Sequence, residues 1–344
     1  MTTIILFGGR SDERHVSVAS AQNIVRALDR PSNPANQQPS NLTWFWAPNG
    51  AVVDVHSDEL LAHTEPFTND FQPSRPAIWP DLEMALDTLP VDDPVFLLAL
   101  HGGEGEDGTV QRMMEARGIR FTGSGSDASA AAFDKGRAKA IVKDLVRIAE
   151  SRVVEDASGL DGAVAAMLQR YEKIVLKPLA GGSSRGLFFV DRATHLGAII
   201  TAICKLNVPY IVEQFISGRE LTVGVVDGDD GPFALPVIEI ETDPGFSFDY
   251  EGKYLGKGAR EICPARIPDV MRDEAQAMAL AAHVTLRCEG YSRSDLIAAG
   301  DGAFFLELNT LPGLTASSLV PQELHEAGID FRDFLKRQIA LARR

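Results

Sequence analysis

Short apolar runs that end in a glycine turn and lead into a helix-period stretch open this chain, and after Val154 they give way to strand–turn–strand. That change of pattern limits the fold more than any other feature. Ile4 to Phe7 reads as a buried strand. In "GGRSDERHVSVASAQNIVRAL" a glycine turn leads into an amphipathic helix with Val16, Ala19, Ile24 and Leu28 near helical spacing. "LTWFWAP" is a second strand. Strand and helix alternate again from Val95 to Arg117, so the first part predicts an alternating α/β unit with parallel strands. Arg30 to Asn41, rich in Pro, Asn, Gln and Ser, reads as a surface loop. Four prolines between Pro66 and Pro80 predict irregular structure across 50–90. Asp127 to Leu145 reads as one helix. Beyond Val154, "KIVLKPLAGGSSRGLFFV" and "YIVEQFISGRELTVGVVDGDDGPFALPVIEI" predict a mixed, largely antiparallel α+β region.

Charge and cysteine usage narrow the function. A formal net charge of -15 argues against nucleic acid or an anionic membrane as a partner, but leaves room for a small anion held by local Lys and Arg. Cys204, Cys263 and Cys288 are far apart and form no C-x-x-C, which suits a reducing compartment. The start has no basic leader region, and no run approaches the roughly 18 apolar residues of a membrane span. These features predict a cytoplasmic protein.

Two glycine-rich loops compete for a nucleotide. In "LLALHGGEGEDGT", Gly103, Gly105 and Gly108 form a G-x-G-x-x-G between a strand and a helix. The loop also carries Glu104, Glu106 and Asp107, which would repel a pyrophosphate. Those acids suit a capped helix start instead. No G-x-x-x-x-G-K-[ST] is present. The second loop, "LAGGSSRG", contains no acid. Gly181, Gly182 and Gly186 would let successive N–H groups converge on an anion, and Ser183 and Ser184 add hydroxyl donors. Lys177 on the incoming strand would supply a point charge. An ordinary hairpin with a solvated lysine fits this segment as well. Glu213 and Glu220 read either as exposed acids around a turn or as groups that hold a ribose hydroxyl or an amino group.

"GYSRSDLIAAGDGAFFLELNTLPGLT", Gly290 to Thr315, reads as a hairpin turning at 300–302. Arg293 and Asp295 share one face of its first strand, and Glu307 and Asn309 one face of its second. Burying such a set is costly unless it is paired or coordinated. Its hard oxygens select Mg²⁺ or Mn²⁺ over zinc and suit a phosphoryl-transfer site. A solvated face with an Arg–Asp pair is the alternative.

Seven motifs in order, "GGRSDERHVS", "LHGGEGEDGT", "TGSGSDASAAAFDK", "VLKPLAGGSSRG", "VEQFISGREL", "DYEGKYL" and "FLELNTLPGLTASSLVP", resemble those of the D-alanine–D-alanine ligases of the ATP-grasp superfamily. The likeness is weak only across about 30–90. It implies an N-terminal α/β domain (1–134), a small central domain with a glycine-rich flap (135–214) and a C-terminal ATP-grasp domain (215–344), with ATP held between the last two. By position, Lys135 and Lys177 match phosphate-contacting lysines, and Glu213 and Glu220 match acids around adenine and ribose. Gly182 and Ser184 belong to the nucleotide flap. Asp295, Glu307 and Asn309 match ligands of Mg²⁺ or Mn²⁺, as two ions. Glu13 matches the acid that holds the first D-alanine's ammonium, with Ser183 and Tyr254 tying the closed loop to it. His101 matches a histidine of the first-substrate pocket, and Lys253 a lysine of the second-substrate and phosphate region. Arg293 and the Gly313 backbone match the oxyanion-stabilising pair, and Ser318 and Leu319 the seat of the second carboxylate.

The resemblance further implies dipeptide formation through an acyl phosphate for peptidoglycan precursors, a homodimer, and a lid at Gly245 to Arg260. Relatives of the family join D-alanine to D-lactate or D-serine, and Lys253-Tyr254 resembles the dipeptide-forming type. A ligase for other amino acids and an inactive nucleotide-binding module are the rival readings. Arg185 departs from the family's usual apolar residue and reads as pointing to solvent. His15 stands where an acid is common and reads as a surface or capping histidine.

Overall fold

The computed structural model describes residues 2–29, 41–182, 185–243, 258–300 and 302–342. Within them the chain forms three sheets. The first has strands β1 (Thr3–Gly8), β2 (Asn41–Trp46), β3 (Val52–Val55), β4 (Val95–Leu98) and β5 (Arg120–Phe121), in the order β3-β2-β1-β4-β5. Pairings among β2, β1, β4 and β5 are parallel, as the alternating pattern predicts. Only β3 runs antiparallel, because a short turn joins it to β2. Every residue of β1 is buried, which explains its unbroken apolar run: helices and loops cover both faces of a parallel sheet. The Arg14–Leu28 helix lays Val18, Ala21, Ile24 and Val25 into this core. The proline-rich 63–81 stretch is mainly irregular, but 50–90 also holds β3 and two short helices, Ser57–Ala62 and Leu82–Asp87.

The second sheet is antiparallel throughout. It contains β6 (Ser151–Val154), β7 (Lys173–Pro178), β8 (Phe188–Asp191) and β9 (Tyr210–Gln214), in the order β6-β9-β7-β8. The third sheet holds β10 (Arg219–Gly228), β12 (Ile238–Thr242), β13 (Ala259–Ile262), β14 (Tyr291–Ala299) and β15 (Gly302–Asn309), in the order β13-β12-β10-β14-β15. A short β11 (Gly231–Ala234) also pairs with β10. Each sheet has its own apolar core.

The single helix expected from Asp127 to Leu145 is two, Ser126–Phe133 and Lys135–Val142. Asp134 leaves helical geometry (φ -86°, ψ 105°), and its side chain accepts from the Arg137 N–H at 2.9 Å. A short acidic side chain gains more as an N-cap than inside a helix. The break lets the Lys135 N–H donate to the Leu179 carbonyl at 2.9 Å, joining the new helix to the second sheet. Packing also crosses the order of the chain. Ala138 and Val142 of the Lys135–Val142 helix lie in the third sheet's core, and Phe334 and Leu335 of the last helix (Phe331–Leu341) in the first sheet's core. Among the described residues, no helix is long and apolar enough to cross a membrane.

Candidate active site

A cleft of about 1540 Å³ opens between the second and third sheets and reaches the loop after β1. Glu13, Lys135, Lys177, Gly182, Glu213, Glu220, Asp295 and Glu307 all line it. Residues separated by almost three hundred positions therefore share one wall. His101, Arg293, Asn309, Gly313, Ser318 and Leu319 lie outside that lining. Ser183, Ser184, Lys253 and Tyr254 lie outside the described residues, as does most of the expected lid.

The β14–β15 hairpin builds the acidic wall. Its register sets Arg293 opposite Asn309 and Asp295 opposite Glu307, so all four side chains share one face. Arg293 donates to Asp295 through Nε (2.9 Å to Oδ1) and Nη2 (2.8 Å to Oδ2). Thr222, registered with Asp295 on β10, donates its hydroxyl to Oδ1 at 2.7 Å. Arg293 and Asp295 are both buried, which rules out the solvated-face alternative. A bulge between Asp295 and Leu296 then shifts the register of the remaining ladder.

Opposite this wall stand lysines. Lys135, first residue of its helix, lies 3.1 Å from Glu307 Oε2 and donates to the Gly181 carbonyl at 2.6 Å. Lys177 pairs with Glu213, as does Lys139. Lys177 is not the solvated lysine of an ordinary hairpin. Burial pulls its pKa down, the Glu307 charge opposes that and Lys135 adds to it, leaving it at about 8. Burial, then Lys177, also lowers Lys139 well below the usual lysine range. Glu213 is buried within β9, the second strand of a four-stranded sheet, so the exposed-turn reading fails for it. Sequence reasoning passed over Lys139. Its position four residues after Lys135 places both on one helix face, a signal the spacing already carried.

The acids of the Gly103–Gly108 loop divide between helix capping and another purpose. Only Asp107 accepts from the helix's first N–H, that of Thr109, at 2.8 Å. The cap position is Gly108 in left-handed geometry (φ 89°), where a Cβ would meet the Ser126 carbonyl at 2.3 Å. Glu106 turns inward, accepting from the Gly102 N–H at 2.9 Å and pairing with His101 Nδ1 at 2.9 Å. Burial works against charge on both, yet each outweighs it for the other. The His101 pKa is raised, chiefly by Glu106, and the Glu106 pKa lowered, chiefly by His101. Gly102 (φ 70°) also brings this loop close to Glu13: a Cβ there would lie 2.6 Å from Glu13 Oε2. From the other side, a Cβ on Gly182 would lie 3.3 Å from the same oxygen. The His101 loop, Glu13 and the glycine flap thus converge.

His101 Nδ1 also lies 3.2 Å from the Leu311 carbonyl, in the turn between Asn309 and Gly313. Ser318 begins the Leu319–Glu326 helix, and its hydroxyl accepts from the Thr315 N–H at 3.1 Å. The Leu319 side chain is buried against Ile238 and Ile240, so only its backbone is placed to meet a ligand. Arg185 stays 63% exposed, as expected, but pairs with Asp12 across the mouth of the cleft. His15 meets Asp70 at 2.9 Å.

The donor set fits a hard divalent cation. Among the described residues no group of three His, Cys, Asp or Glu could cage a metal. Mg²⁺ needs no such cage: it is held by one or two carboxylates, with water and substrate phosphates completing the shell. Asp295 and Glu307, facing each other across the hairpin with Asn309 beside them, match that habit.

Comparison with known proteins agrees with this geometry. Residues 2–124 match the family model "D-ala D-ala ligase N-terminus" and 147–340 the model "D-ala D-ala ligase C-terminus". The D-alanine–D-alanine ligase of Desulforudis audaxviator is 40% identical over 98% of this chain and 97% of its own. The VanG D-Ala:D-Ser ligase of Enterococcus faecalis superposes with a TM-score of 0.81 at 27% identity, covering 99% of this chain and 98% of that one. The D-alanine–D-alanine ligase of Bacillus anthracis, solved in complex with ATP, gives a TM-score of 0.73 at 25% identity, over 99% and 96% of the two chains. With both halves matched in order and the lysine, acid and glycine-loop elements gathered on one cleft, the chain belongs to the D-alanine–D-alanine ligase family.

Proposed function

We propose that this protein joins two D-alanine molecules to D-alanyl-D-alanine at the expense of ATP, through an acyl phosphate, for peptidoglycan precursor synthesis. The observation that carries the reading is the registered pair Asp295/Glu307, which lines one cleft with Lys135 and Lys177 and continues on the same hairpin face into Arg293/Asn309. A carboxylate is a poor acyl donor, so amide formation needs prior activation. Glu13, between the His101 loop and the flap, holds the ammonium of the first D-alanine, and His101 with its Glu106 partner shapes that pocket. The first carboxylate then attacks the γ-phosphorus of ATP, and the acyl phosphate forms as the bond to ADP breaks and ADP leaves. Lys135 and Lys177 offset the charge that spreads over it in transfer. Their ion pairs with Glu307 and Glu213 keep both cations in place before ATP arrives.

Asp295, Glu307 and Asn309 would hold Mg²⁺ or Mn²⁺, as two ions, which would neutralise phosphate charge. Glu213 and Glu220 face adenine and ribose, and Gly182 belongs to the flap over the phosphates. Ser318 and the Leu319 N–H seat the second carboxylate. The neutral amine of that second D-alanine attacks the acyl carbon and expels phosphate, while Arg293 and the Gly313 N–H stabilise the oxyanion. Asp295 fixes the guanidinium by two bonds, so little reorganisation is needed when charge develops. The domains run 1–134, 135–214 and 215–344, and the enzyme acts as a cytoplasmic homodimer.

Phosphate release from ATP and Mg²⁺ with D-alanine alone, and with L-alanine, D-serine or D-lactate mixtures, tests the reading, with products identified by mass. The expected result is D-alanine-dependent release and a D-Ala-D-Ala mass. Turnover only with another amino acid would reject the assigned substrate.

A further inference from the structure

Gly224 sits at a gap in the third sheet. Along one side of β10, pairing with β12 ends at Thr222, opposite Ile238, and pairing with β11 begins at Val225, opposite Ala234. The N–H of Gly224 donates instead to the side chain of Glu323, at 2.8 Å to Oε1. A glycine is what admits that carboxyl group, since a Cβ at position 224 would lie 2.5 Å from Glu323 Oε2. On the other side of β10, Gly224 is registered with Arg293. Glu323 therefore bridges the Leu319–Glu326 helix and the strand next to the guanidinium.

Glu323 is completely buried, and its Oε2 has no hydrogen-bond partner among the described residues. Burial drives its carboxyl well above the usual range, with Asp295 adding to the rise and the Gly224 N–H and Arg293 opposing it. A leucine would pack the same place at lower desolvation cost, yet would leave the Gly224 N–H without an acceptor.

We propose that Glu323 is a positioning residue for the acceptor amino acid: it fastens the helix whose first turn seats the acceptor carboxylate to the strand pair that carries Arg293. The proposal rests on the ligase reading above, with Ser318 and Leu319 as that seat. Without the tie, the seat drifts from the oxyanion position while the ATP and first D-alanine sites, on other elements, stay intact.

Steady-state kinetics separate the two D-alanine sites. In Glu323→Leu the KM for the second D-alanine should rise roughly five- to tenfold, the scale of one lost hydrogen bond. The KM values for ATP and for the first D-alanine should hold. Glu323→Gln keeps an acceptor for Gly224 and should stay within about twofold of wild type. If Glu323→Leu yields no folded protein, Glu323→Asp, which withdraws the carboxyl by one methylene, carries the test with the same split. An equal change in all constants, or a lowered Tm with unchanged kinetics, would reduce Glu323 to a packing residue and overturn the proposal. A wild-type enzyme that makes no dipeptide would defeat the ligase reading and this proposal together, whereas an active wild type without the split defeats only the proposal.

Discussion

Arg293 and Asp295 hold each other through two parallel hydrogen bonds of 2.9 and 2.8 Å while standing two residues apart on one strand. The pair is buried and supported by the Thr222 hydroxyl. A fork of this kind cannot be reproduced by an ammonium group. Arg293→Lys should therefore lower kcat by roughly a hundredfold or more, the usual loss for one oxyanion donor. Single-turnover measurement of dipeptide formation checks this. A variant that retains full rate would remove Arg293 from the chemistry.

Glu307 is partly exposed, with 31% of its side chain accessible, and its described ion pair is with Lys135. Partly exposed ion pairs add little to stability. Glu307→Gln should accordingly keep the fold, with Tm nearly unchanged. ATP turnover should fall by roughly a thousandfold, because the carboxylate that would hold the charge-balancing cation, and that pairs with Lys135, is lost. Phosphate release beside a thermal melt tests both halves of the claim.

Lys177, with a pKa of about 8, should make ATP binding sensitive to alkali. Its charge is present below that value and lost above it. The KM for ATP is expected to be flat up to about pH 8 and then to climb. In Lys177→Arg the rise should vanish, since a guanidinium stays charged throughout. The stability effect runs the other way. Between about 8 and 10.5 the unfolded chain holds the proton that the folded one has released, so this residue adds stability as pH rises through that window.

The buried His101–Glu106 pair predicts a second pH effect. His101 is raised above 6.5, so its contribution is complete below 6.5 and fades as pH passes its folded value. Glu106 is lowered below 4.5, so its contribution is complete above 4.5 and fades as acid protonates it. Both act fully between those two values. Urea unfolding should show Glu106→Gln losing roughly 2–3 kcal/mol at pH 5.5 and clearly less at pH 9. An equal loss at both pH values would mean that the pair is not ionic.

Much of the site was legible because its signals are local. Period-two spacing within each strand put Arg293 with Asp295 and Glu307 with Asn309 before any contact was known. The flap's lack of acids set it apart from the acidic Gly103–Gly108 loop, and Gly181 and Gly182 do line the cleft. Glu106 was harder to read, because its sequence neighbours fit an exposed helix start while its partner, His101, is reached only through the turn at Gly102. Glu323 had no local mark at all. Its partner lies 99 residues away, and an acid in a helix ordinarily faces water.

By itself the sequence determined the kinds of element, the order of the motifs and the oxygen-rich, zinc-averse donor set, since these follow from period, glycine placement and side-chain chemistry over a few residues. Only the tertiary structure decided which groups share a cleft. The bend at Asp134 turns Lys135 toward Gly181 and Glu307, strand register sets Asp295 against Glu307, and burial lowers the pKa of Lys177 and raises that of Glu323. The physical reason is that desolvation and pairing depend on neighbours brought from distant parts of the chain, and no window of sequence contains them.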